Sequence, residues 1–481
     1  MLTKPIAGPL SDVVHDDRLI GLLGAWSAEG HGGLSRRLAH GLRTAITGGI
    51  LPSGTRLPPE RHLATLLSVS RSTVTVALDE LRAEGLLVSR QGAGTQVVGL
   101  PEPSTTGDRV GAHFVNRGSG IDLAAVVPTE GGHLPPMSVR TEDLLAARGQ
   151  LEPHGMMPLR EALATWHTRH GRITEPDQVQ VTHGAQHAIA VTIDALVTPG
   201  VAVAVEDPAY PGILDVIDHR RAHPVAIPAD YGGPNPEALG DLLRRSNPAV
   251  VYLQTGVNNP TGRLIGPARR RALAQVLDEH GDAVLIEDNT LADLTFDGRR
   301  APAFNTLCRV APVITVESLS KVAWAGLRIG WLRTSGVVAE RISRVRVATD
   351  LGPSVPSQLL ALQLLPELDV MAARRREGLR TAVDAAVERL AADLPDWQIE
   401  TPEGSSALWP ELPVADSTAY VALARRHGVH VTPGAAHAVG RGGDPHIRFC
   451  VDRPAGQVDE GIDRLVSAWR DLTTRRIRSI A

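Results

Sequence analysis

Hydrophobic residues recur with different spacings in different parts of this chain. In residues 34–47 apolar side chains occur at every fourth position, which is the spacing of one helical face. Further helices are predicted over residues 60–67 and 70–84, separated by a tight turn. Residues 86–98 alternate around two glycines, as a hairpin does. A short helix, a tight turn, a longer helix and a hairpin predict a winged helix-turn-helix.

From about residue 121 the pattern changes to short apolar runs that alternate with helical stretches. This alternation predicts a mainly parallel sheet covered by helices on both faces. In such sheets ligands bind outside the carboxyl ends of the strands, so the loops there are the candidate site. The predicted strands begin at Val179, Val201, Val250, Ala283 and Val313.

The length of 481 residues predicts two or three domains. We divide the chain into a small module at residues 31–99, a linker at 100–120 and a large module at 121–481. The linker is assigned because its sequence is polar, aperiodic and rich in Pro, Gly and Ser. The expected fold class is α/β.

Charge is unevenly distributed between the modules. Residues 31–98 carry eight arginines against four acidic residues, whereas the net charge of the whole chain is −4. A basic segment joined to an acidic one predicts that only the first meets a polyanion. Two cysteines provide no disulfide framework, so a reducing cytoplasm is expected. Neither a signal peptide nor a membrane span is predicted, and no metal site is expected.

Lysine is rare in this arginine-rich chain. Of 49 basic residues only Lys4 and Lys321 are lysines. Arginine supplies charge but is no amine nucleophile, whereas lysine forms a Schiff base with an aldehyde. We therefore interpret Lys321 as a catalytic amine; the alternative is a leftover surface residue.

The loops around Lys321 carry the other groups that pyridoxal 5'-phosphate needs. Its pyridine nitrogen needs a carboxylate, its phenolic oxygen a donor, its ring a stacking partner and its phosphate several donors. Some candidates have simpler explanations, since Asp288 suits a helix cap and Tyr210 suits packing. The candidates, in the order of those four needs, are Asp288; Asn259; Tyr210; and Ser318, Arg328 and the backbone of Gly184, Ala185 and Gln186.

The small module carries the motifs Gly49-Ile-Leu-Pro-Ser-Gly-Thr-Arg-Leu-Pro-Pro-Glu-Arg-His-Leu-Ala64, Val69-Ser-Arg-Ser-Thr-Val74, Glu84-Gly-Leu86 and Gly92-Ala-Gly-Thr95. With these motifs it resembles the winged helix-turn-helix of GntR regulators throughout its length. The resemblance implies that Arg61, Arg71 and Thr73 contact double-stranded operator DNA. It places Ser70 and Thr75 close by, although Ser70 is equally well explained as a helix cap, and it puts Gln91 and Gly92 at the tip of the wing.

The large module carries, in this order, the motifs His183-Gly-Ala-Gln186, Glu206-Asp-Pro-Ala-Tyr-Pro-Gly212, Asn258-Asn-Pro-Thr-Gly262, Glu287-Asp-Asn289, Ser318-Leu-Ser-Lys321, Gly326-Leu-Arg-Ile-Gly330, Val431-Thr-Pro-Gly434 and Ile447-Arg-Phe449. With these motifs the module resembles fold type I aminotransferases, which implies a mainly parallel sheet with a smaller α/β subdomain at the C-terminal end. This resemblance also implies that Arg448 binds a substrate or effector carboxylate. The two resemblances together cover nearly the whole chain and indicate the MocR subfamily of GntR regulators. The subfamily implies a head-to-tail homodimer, with each winged module over the partner's large module, bound to paired DNA sites.

Two positions depart from the aminotransferase pattern. Many relatives have tyrosine where Thr290 and Gln150 stand here. We therefore expect cofactor binding but less efficient transamination.

The main hypothesis is a transcription factor that senses pyridoxal phosphate or an amino compound through Lys321. The alternatives are a working aminotransferase with an accessory DNA-binding module, and a degenerate domain that only dimerises.

Overall fold

The chain forms two compact units, residues 1–106 and 107–481. The computed structural model describes residues 19, 26, 33–47, 51, 55–83, 86–90, 94–97, 109–110, 120–147, 151–440 and 442–480.

The first unit contains the predicted helix-turn-helix and hairpin. Its described helices are α1 (Leu34–Thr47), α2 (Glu60–Leu66) and α3 (Arg71–Ala83). An antiparallel sheet in the order β1-β3-β2 completes the unit, from β1 (Arg56–Leu57), β2 (Leu87–Arg90) and β3 (Gly94–Val97). Leucines of α1, α2 and α3 form the core, although Leu34, at the start of the predicted apolar face, is 46% exposed.

The second unit is built on an eight-stranded sheet in the order β5-β12-β11-β10-β9-β6-β7-β8. Strands β11, β10, β9, β6 and β7 are parallel, whereas β12 is antiparallel to both its neighbours and β8 is antiparallel to β7. The five strands predicted from the apolar runs are all present. The strands are β5 (Val179–Thr182), β6 (Ala202–Asp207), β7 (His223–Asp230), β8 (Gly233–Pro234), β9 (Val250–Gln254), β10 (Val284–Asp288), β11 (Val313–Ser318) and β12 (Gly330–Arg333).

Helices cover this sheet because its strands are apolar on both faces, and separate hydrophobic clusters form on either side. None of the described helices is long and apolar enough to cross a membrane. The helices are α4 (Thr141–Ala146), α5 (Met157–Arg169), α6 (Ala185–Leu196), α7 (Pro211–His219), α8 (Pro236–Ser246), α9 (Pro267–His280), α10 (Phe304–Leu307), α11 (Gly336–Thr349), α12 (Val355–Leu364), α13 (Leu368–Asp393), α14 (Thr418–Arg426) and α15 (Ala455–Ile480).

A smaller subdomain lies at the C-terminal end, around a cluster that includes Trp397, Tyr420, Phe449 and Trp469. Its strands form an antiparallel sheet in the order β13-β16-β15. A separate pair joins the start of the second unit to this subdomain, because β4 runs parallel to β14. The strands are β4 (Ile121–Asp122), β13 (Ala407–Leu408), β14 (Val429–His430), β15 (Thr432–Pro433) and β16 (Ile447–Cys450).

Candidate functional site

A cavity of about 500 Å³ lies at the carboxyl edge of the parallel strands. Asp288 ends β10, Ser318 ends β11 and Tyr210 precedes α7 after β6. Because the carboxyl ends of parallel strands meet at one edge, residues far apart in sequence come together there. The predicted residues that line the cavity are Ala185, Gln186, Tyr210, Asn259, Asp288, Ser318, Lys321 and Arg328.

Lys321 is a largely buried amine in this cavity. Its Nζ donates a hydrogen bond to the carbonyl oxygen of Val126. Burial lowers the pKa of Lys321 to about 8, because an ammonium ion is less stable away from water. A larger fraction of the side chain is therefore neutral near neutral pH than for an exposed lysine, which favours nucleophilic attack. The alternative of a leftover surface residue is wrong.

Asp288 is held by two hydrogen bonds. Its Oδ2 accepts the hydroxyl hydrogen of Tyr252 at 2.6 Å, and its Oδ1 accepts the backbone N–H of Thr290 at 2.9 Å. Burial raises the pKa of Asp288, and the donors from Thr290 and Tyr252 oppose that rise. Asp288 lies in β10 and does not cap a helix. Sequence reasoning missed Tyr252, whose only signal was its place in an otherwise apolar buried strand.

Asn259 and Arg448 are in direct contact. Arg448 donates to Oδ1 of Asn259 at 3.1 Å, to Thr432 Oγ1 at 3.0 Å and to the carbonyl of Ala124. Since the Asn259 oxygen faces Arg448, the Asn259 amide nitrogen is the group left to donate into the cavity. Arg448 is 3% exposed and is therefore not a surface arginine. It does not line the cavity directly but lies behind Asn259.

The turn between β5 and α6 forms a cradle next to Arg328. Gly184 has φ +91°, and a Cβ there would lie 2.9 Å from Nη2 of Arg328, so the turn requires glycine. The backbone N–H groups at the start of α6 and the Arg328 guanidinium suit a phosphate. Oε1 of Gln186 is buried without a hydrogen-bond partner among the described residues. These residues fit pyridoxal phosphate. Ser320, which the sequence analysis left unassigned, also lines the cavity and accepts from Ser318 at 2.9 Å.

A histidine cluster lies beside the cradle and was not foreseen. Nε2 of His183 and of His187 lie 3.3 and 3.5 Å from Oδ2 of Asp350, a grouping that could hold a cation. The same carboxylate oxygen accepts from Arg346 at 3.0 Å. Nδ1 of His187 accepts the His183 backbone N–H at 3.2 Å, so a neutral His187 carries its proton on Nε2. The neighbouring guanidinium and this tautomer both oppose a cation, and we interpret the cluster as a hydrogen-bonded support of the cradle.

In the first unit, Arg61 lies at the start of α2, whereas Ser70, Arg71, Thr73 and Thr75 lie at or near the start of α3. Ser70, Arg61 and Arg71 are exposed, and Thr73 is half-buried. Ser70 Oγ accepts the backbone N–H of Thr73 at 3.1 Å, which is a helix cap. Gln91 and Gly92 lie outside the described residues.

Two side chains of α3, Thr75 and Arg82, contact Glu60 of α2, and no pattern in the sequence predicted these contacts. Thr75 donates to Glu60 at 2.9 Å, which engages its hydroxyl within the unit. Arg82 reaches Glu60 at 3.0 Å and also donates to Ser89 and Thr95 of the hairpin at 2.9 and 3.2 Å. The Arg82 hydrogen bond lowers the pKa of Glu60. Arg82 therefore ties the wing to α3.

Comparisons with known proteins agree with both units. Residues 127–465 match the family model of aminotransferase class I and II, and residues 34–97 match that of bacterial regulatory proteins, gntR family. The probable rhizopine catabolism regulatory protein MocR of Rhizobium meliloti is 30% identical over 362 residues, which cover 69% of this chain and 72% of that protein. The chain belongs to the MocR subfamily of GntR regulators.

Further relatives extend the similarity in both directions. The HTH-type transcriptional regulator YdfD of Bacillus subtilis (strain 168), named as uncharacterized, is 27% identical over 92% of this chain and 97% of its own length. The α-aminoadipate aminotransferase LysN of Thermus thermophilus, solved with N-(5'-phosphopyridoxyl)-L-leucine, has a TM-score of 0.68 at 25% identity, covering 76% of this chain and 95% of that one. This MocR-type protein is thus a DNA-binding regulator with an aminotransferase-like domain, and its cofactor is pyridoxal phosphate.

Proposed function

We propose that this regulator senses pyridoxal phosphate, or an amino compound that reacts with it, and changes its affinity for operator DNA in response. The observation that carries the proposal is the convergence of Lys321, Asp288 and Arg328 on one cavity in a chain that also has a basic winged helix-turn-helix. We assign the DNA-binding part to residues 31–99 and the sensing part to residues 121–481.

The cavity residues suggest how the cofactor is held. Lys321 offers an amine to its aldehyde, Asp288 a carboxylate to its ring nitrogen and Asn259 an amide donor to its phenolic oxygen. Tyr210 would stack on the ring. Ser318, Arg328 and the turn at Gly184, Ala185 and Gln186 would hold the phosphate. Bound pyridoxal phosphate supplies an aldehyde that exchanges between amines and a ring that withdraws electrons.

Arg448 gives the effector site its preference for a carboxylate. It is buried and already donates to neutral oxygens of Ala124, Asn259 and Thr432. A carboxylate would form stronger, charge-assisted hydrogen bonds with the same guanidinium. Arg448→Ala should therefore abolish the response to a carboxylate-bearing effector and leave the cofactor in place. If pyridoxal phosphate itself is the effector, this substitution should matter little.

The first unit binds the operator through phosphate and base contacts. Phosphate contacts supply most of the affinity and make it fall with salt, whereas base contacts select the sequence. We assign these contacts to Arg61, Ser70, Arg71, Thr73, Thr75, Gln91 and Gly92. A head-to-tail homodimer would place two such units on paired half-sites. Sedimentation of the protein with one or two half-sites tests this stoichiometry.

An active aminotransferase is the second candidate, because the Lys321 pKa of about 8 favours a nucleophilic amine. Thr290, in place of the tyrosine of many relatives, argues against efficient turnover. The two candidates separate when the loaded protein is mixed with amino acids and 2-oxo acids. Repeated conversion of both substrates supports the enzyme, and a change in operator affinity without turnover supports the sensor.

The experiment that tests the sensor is operator binding at fixed salt, with and without pyridoxal phosphate and each candidate amine. We expect a change in operator affinity of about five- to 150-fold, the usual size of coupling between sites. If no ligand of the large unit alters operator affinity, the sensor proposal fails.

A further inference from the structure

The predicted linker contains two described residues, Arg109 and Val110, that are fixed to the large unit. Asp215 on α7 accepts both of their backbone N–H groups, Arg109 N at 3.1 Å and Val110 N at 2.8 Å. The Arg109 guanidinium also donates to Asp218 at 2.8 Å. We call these four residues the linker clamp. A nearly buried carboxylate with two backbone donors holds a short segment in one place far better than an exposed ion pair does.

One residue of the clamp, Val110, also lines the ligand cavity, together with Val126 and Lys321. Helix α7, which carries Asp215 and Asp218, begins directly after Tyr210, another lining residue. A ligand that fills the cavity therefore meets a residue of the interdomain segment. This contact is unexpected for a linker that the sequence makes polar and aperiodic.

The stretch that directly follows the linker, residues 122–127, is hydrogen-bonded to the same site. Lys321 donates to the carbonyl of Val126, and Arg448 donates to that of Ala124. Arg453 holds the neighbouring carbonyls of Asp122, Ala125 and Val127, at 2.8 to 3.1 Å. Lys321 and Arg448, which we assign to cofactor and effector, thus both bond to the stretch of chain that follows the linker.

We propose that the linker at Arg109 and Val110, together with residues 122–127 that follow it, forms a wall of the ligand cavity and reports its occupancy to the DNA-binding unit. A ligand acts on it in two ways. Bulk displaces Val110 and strains the clamp, and charge draws Lys321 and Arg448 away from Val126 and Ala124. Val110 is then a specificity-determining residue that limits the size of the ligand. The proposal rests on the sensor function and names the route by which that function operates.

Amide hydrogen exchange tests the clamp on the full-length, cofactor-loaded protein. The amides of Arg109 and Val110 should exchange at least about tenfold more slowly in the wild type than in Asp215→Ala, because a hydrogen bond to a charged group is lost. The matched control is Asp194→Ala, an aspartate whose Oδ1 lies 3.7 Å from Nε of Arg220 and which forms no hydrogen bond or ion pair with Arg109 or Val110, the described residues of the clamp on the linker side. Equal exchange in wild type and Asp215→Ala overturns the clamp.

Operator binding tests the coupling. Operator affinity is measured on the loaded protein with and without glycine or L-leucine as the probe. In Asp215→Ala and Arg109→Ala, the logarithm of the ligand-induced change in operator affinity should fall to less than about half its wild-type value, within the usual range of coupling effects. Cofactor absorbance should stay unchanged, which also shows that the variants fold. Arg109→Ala alters only the linker side and carries the test if Asp215→Ala does not fold.

Val110→Trp places bulk in the cavity without ligand. It should shift operator affinity in the same direction as L-leucine does in the wild type, whereas Val337→Trp, at a residue 65% exposed on α11, should not. If the wild type responds to ligand and all clamp variants respond equally, the linker proposal is overturned and the sensor function stands. If the wild type itself gives no response, the sensor function is overturned.

Discussion

The two units use arginine in opposite ways. In the DNA-binding unit the Arg71 side chain is 65% exposed and its nearest acidic partner, Glu60, lies 4.0 Å away. In the ligand-binding unit Arg448 is 3% exposed and already donates to Asn259 and Thr432. An exposed arginine can meet any nearby phosphate, whereas a buried one must exchange existing partners for a ligand of matching charge and shape.

Residue type alone therefore carries little information about the role of an arginine in this arginine-rich chain. Burial determines the role of an arginine, because a guanidinium that is removed from water must be paired. Its existing hydrogen-bond partners, and any ligand that replaces them, therefore contribute more to its free energy than they would at the surface. We expect graded, salt-dependent effects from substitutions in the first unit. In the second unit we expect ligand binding or the response to ligand to be lost when a single hydrogen-bonding or nucleophilic group is removed.

The largest effect should come from Lys321→Arg, which keeps the charge and removes the nucleophile. Borohydride treatment should no longer attach the cofactor to the chain, and the absorbance of the covalently held cofactor should disappear. Mass spectrometry of the peptide that contains residue 321 measures this. Lys4→Arg, at the only other lysine, is the matched control and should label like the wild type. Persistent labelling of Lys321→Arg would contradict the assignment.

Asp288→Ala should weaken cofactor binding by about ten- to a hundredfold, since a hydrogen bond to a charged group contributes roughly 1.5 to 3 kcal/mol. Titration of the apoprotein with pyridoxal phosphate gives the dissociation constant. Asp297→Ala removes a more exposed aspartate from the same unit and should leave that constant unchanged. An unchanged constant for Asp288→Ala would mean that another residue pairs with the ring nitrogen.

Arg71→Ala should weaken operator binding by roughly 1 to 3 kcal/mol if the side chain contacts a base edge. The cofactor spectrum should not change. Lys321→Ala should show the reverse, with basal operator binding retained and its modulation by ligand lost. Operator affinity measured at fixed salt for both variants, with and without pyridoxal phosphate and amine, tests the contrast. A changed cofactor spectrum in Arg71→Ala would break the separation between the two units.

Much of the fold and of the site could be predicted from the sequence, because the features that specify them lie in short stretches of the chain. Apolar runs of strand length predicted β5, β9, β10 and β11, and the glycine-rich turn at Gly184 and the rare Lys321 have distinctive local sequences. The cavity residues assigned by motif lie at the carboxyl ends of β5, β6, β9, β10 and β11 or in the segments that follow these strands.

The contacts that were missed are made across the fold. Tyr252 reaches Asp288 because β9 lies beside β10, and nothing in the apolar run around it signals a polar role. Asp215 binds Arg109 over 106 positions of sequence. Arg82 of α3 reaches a hairpin residue, Thr95, in the same way. Such pairs depend on sheet order and packing, which a single sequence does not specify.

The smallest effect, and the finest test of the buried site, should come from Tyr252→Phe. The variant removes one donor to Asp288, so cofactor affinity at neutral pH should fall by roughly two- to tenfold. The Tyr252 donor opposes the rise that burial imposes on the pKa of Asp288. Without it that pKa rises further, and the carboxylate is protonated at a higher pH. We therefore expect the loss of cofactor affinity on acidification to begin at higher pH than in the wild type.

Cofactor dissociation constants measured across pH for Tyr252→Phe and wild type test this shift. The matched control is Tyr231→Phe, because Tyr231 is 72% exposed, bonds to Glu400 and lies outside the cavity. It loses the same hydroxyl but should follow the wild-type curve. If the two curves for Tyr252→Phe and wild type coincide on the acid side, Tyr252 does not tune Asp288. The carboxylate is then held by Thr290 alone. In that case the buried polar contacts of this unit act more independently of one another than we infer from the contrast with the DNA-binding unit.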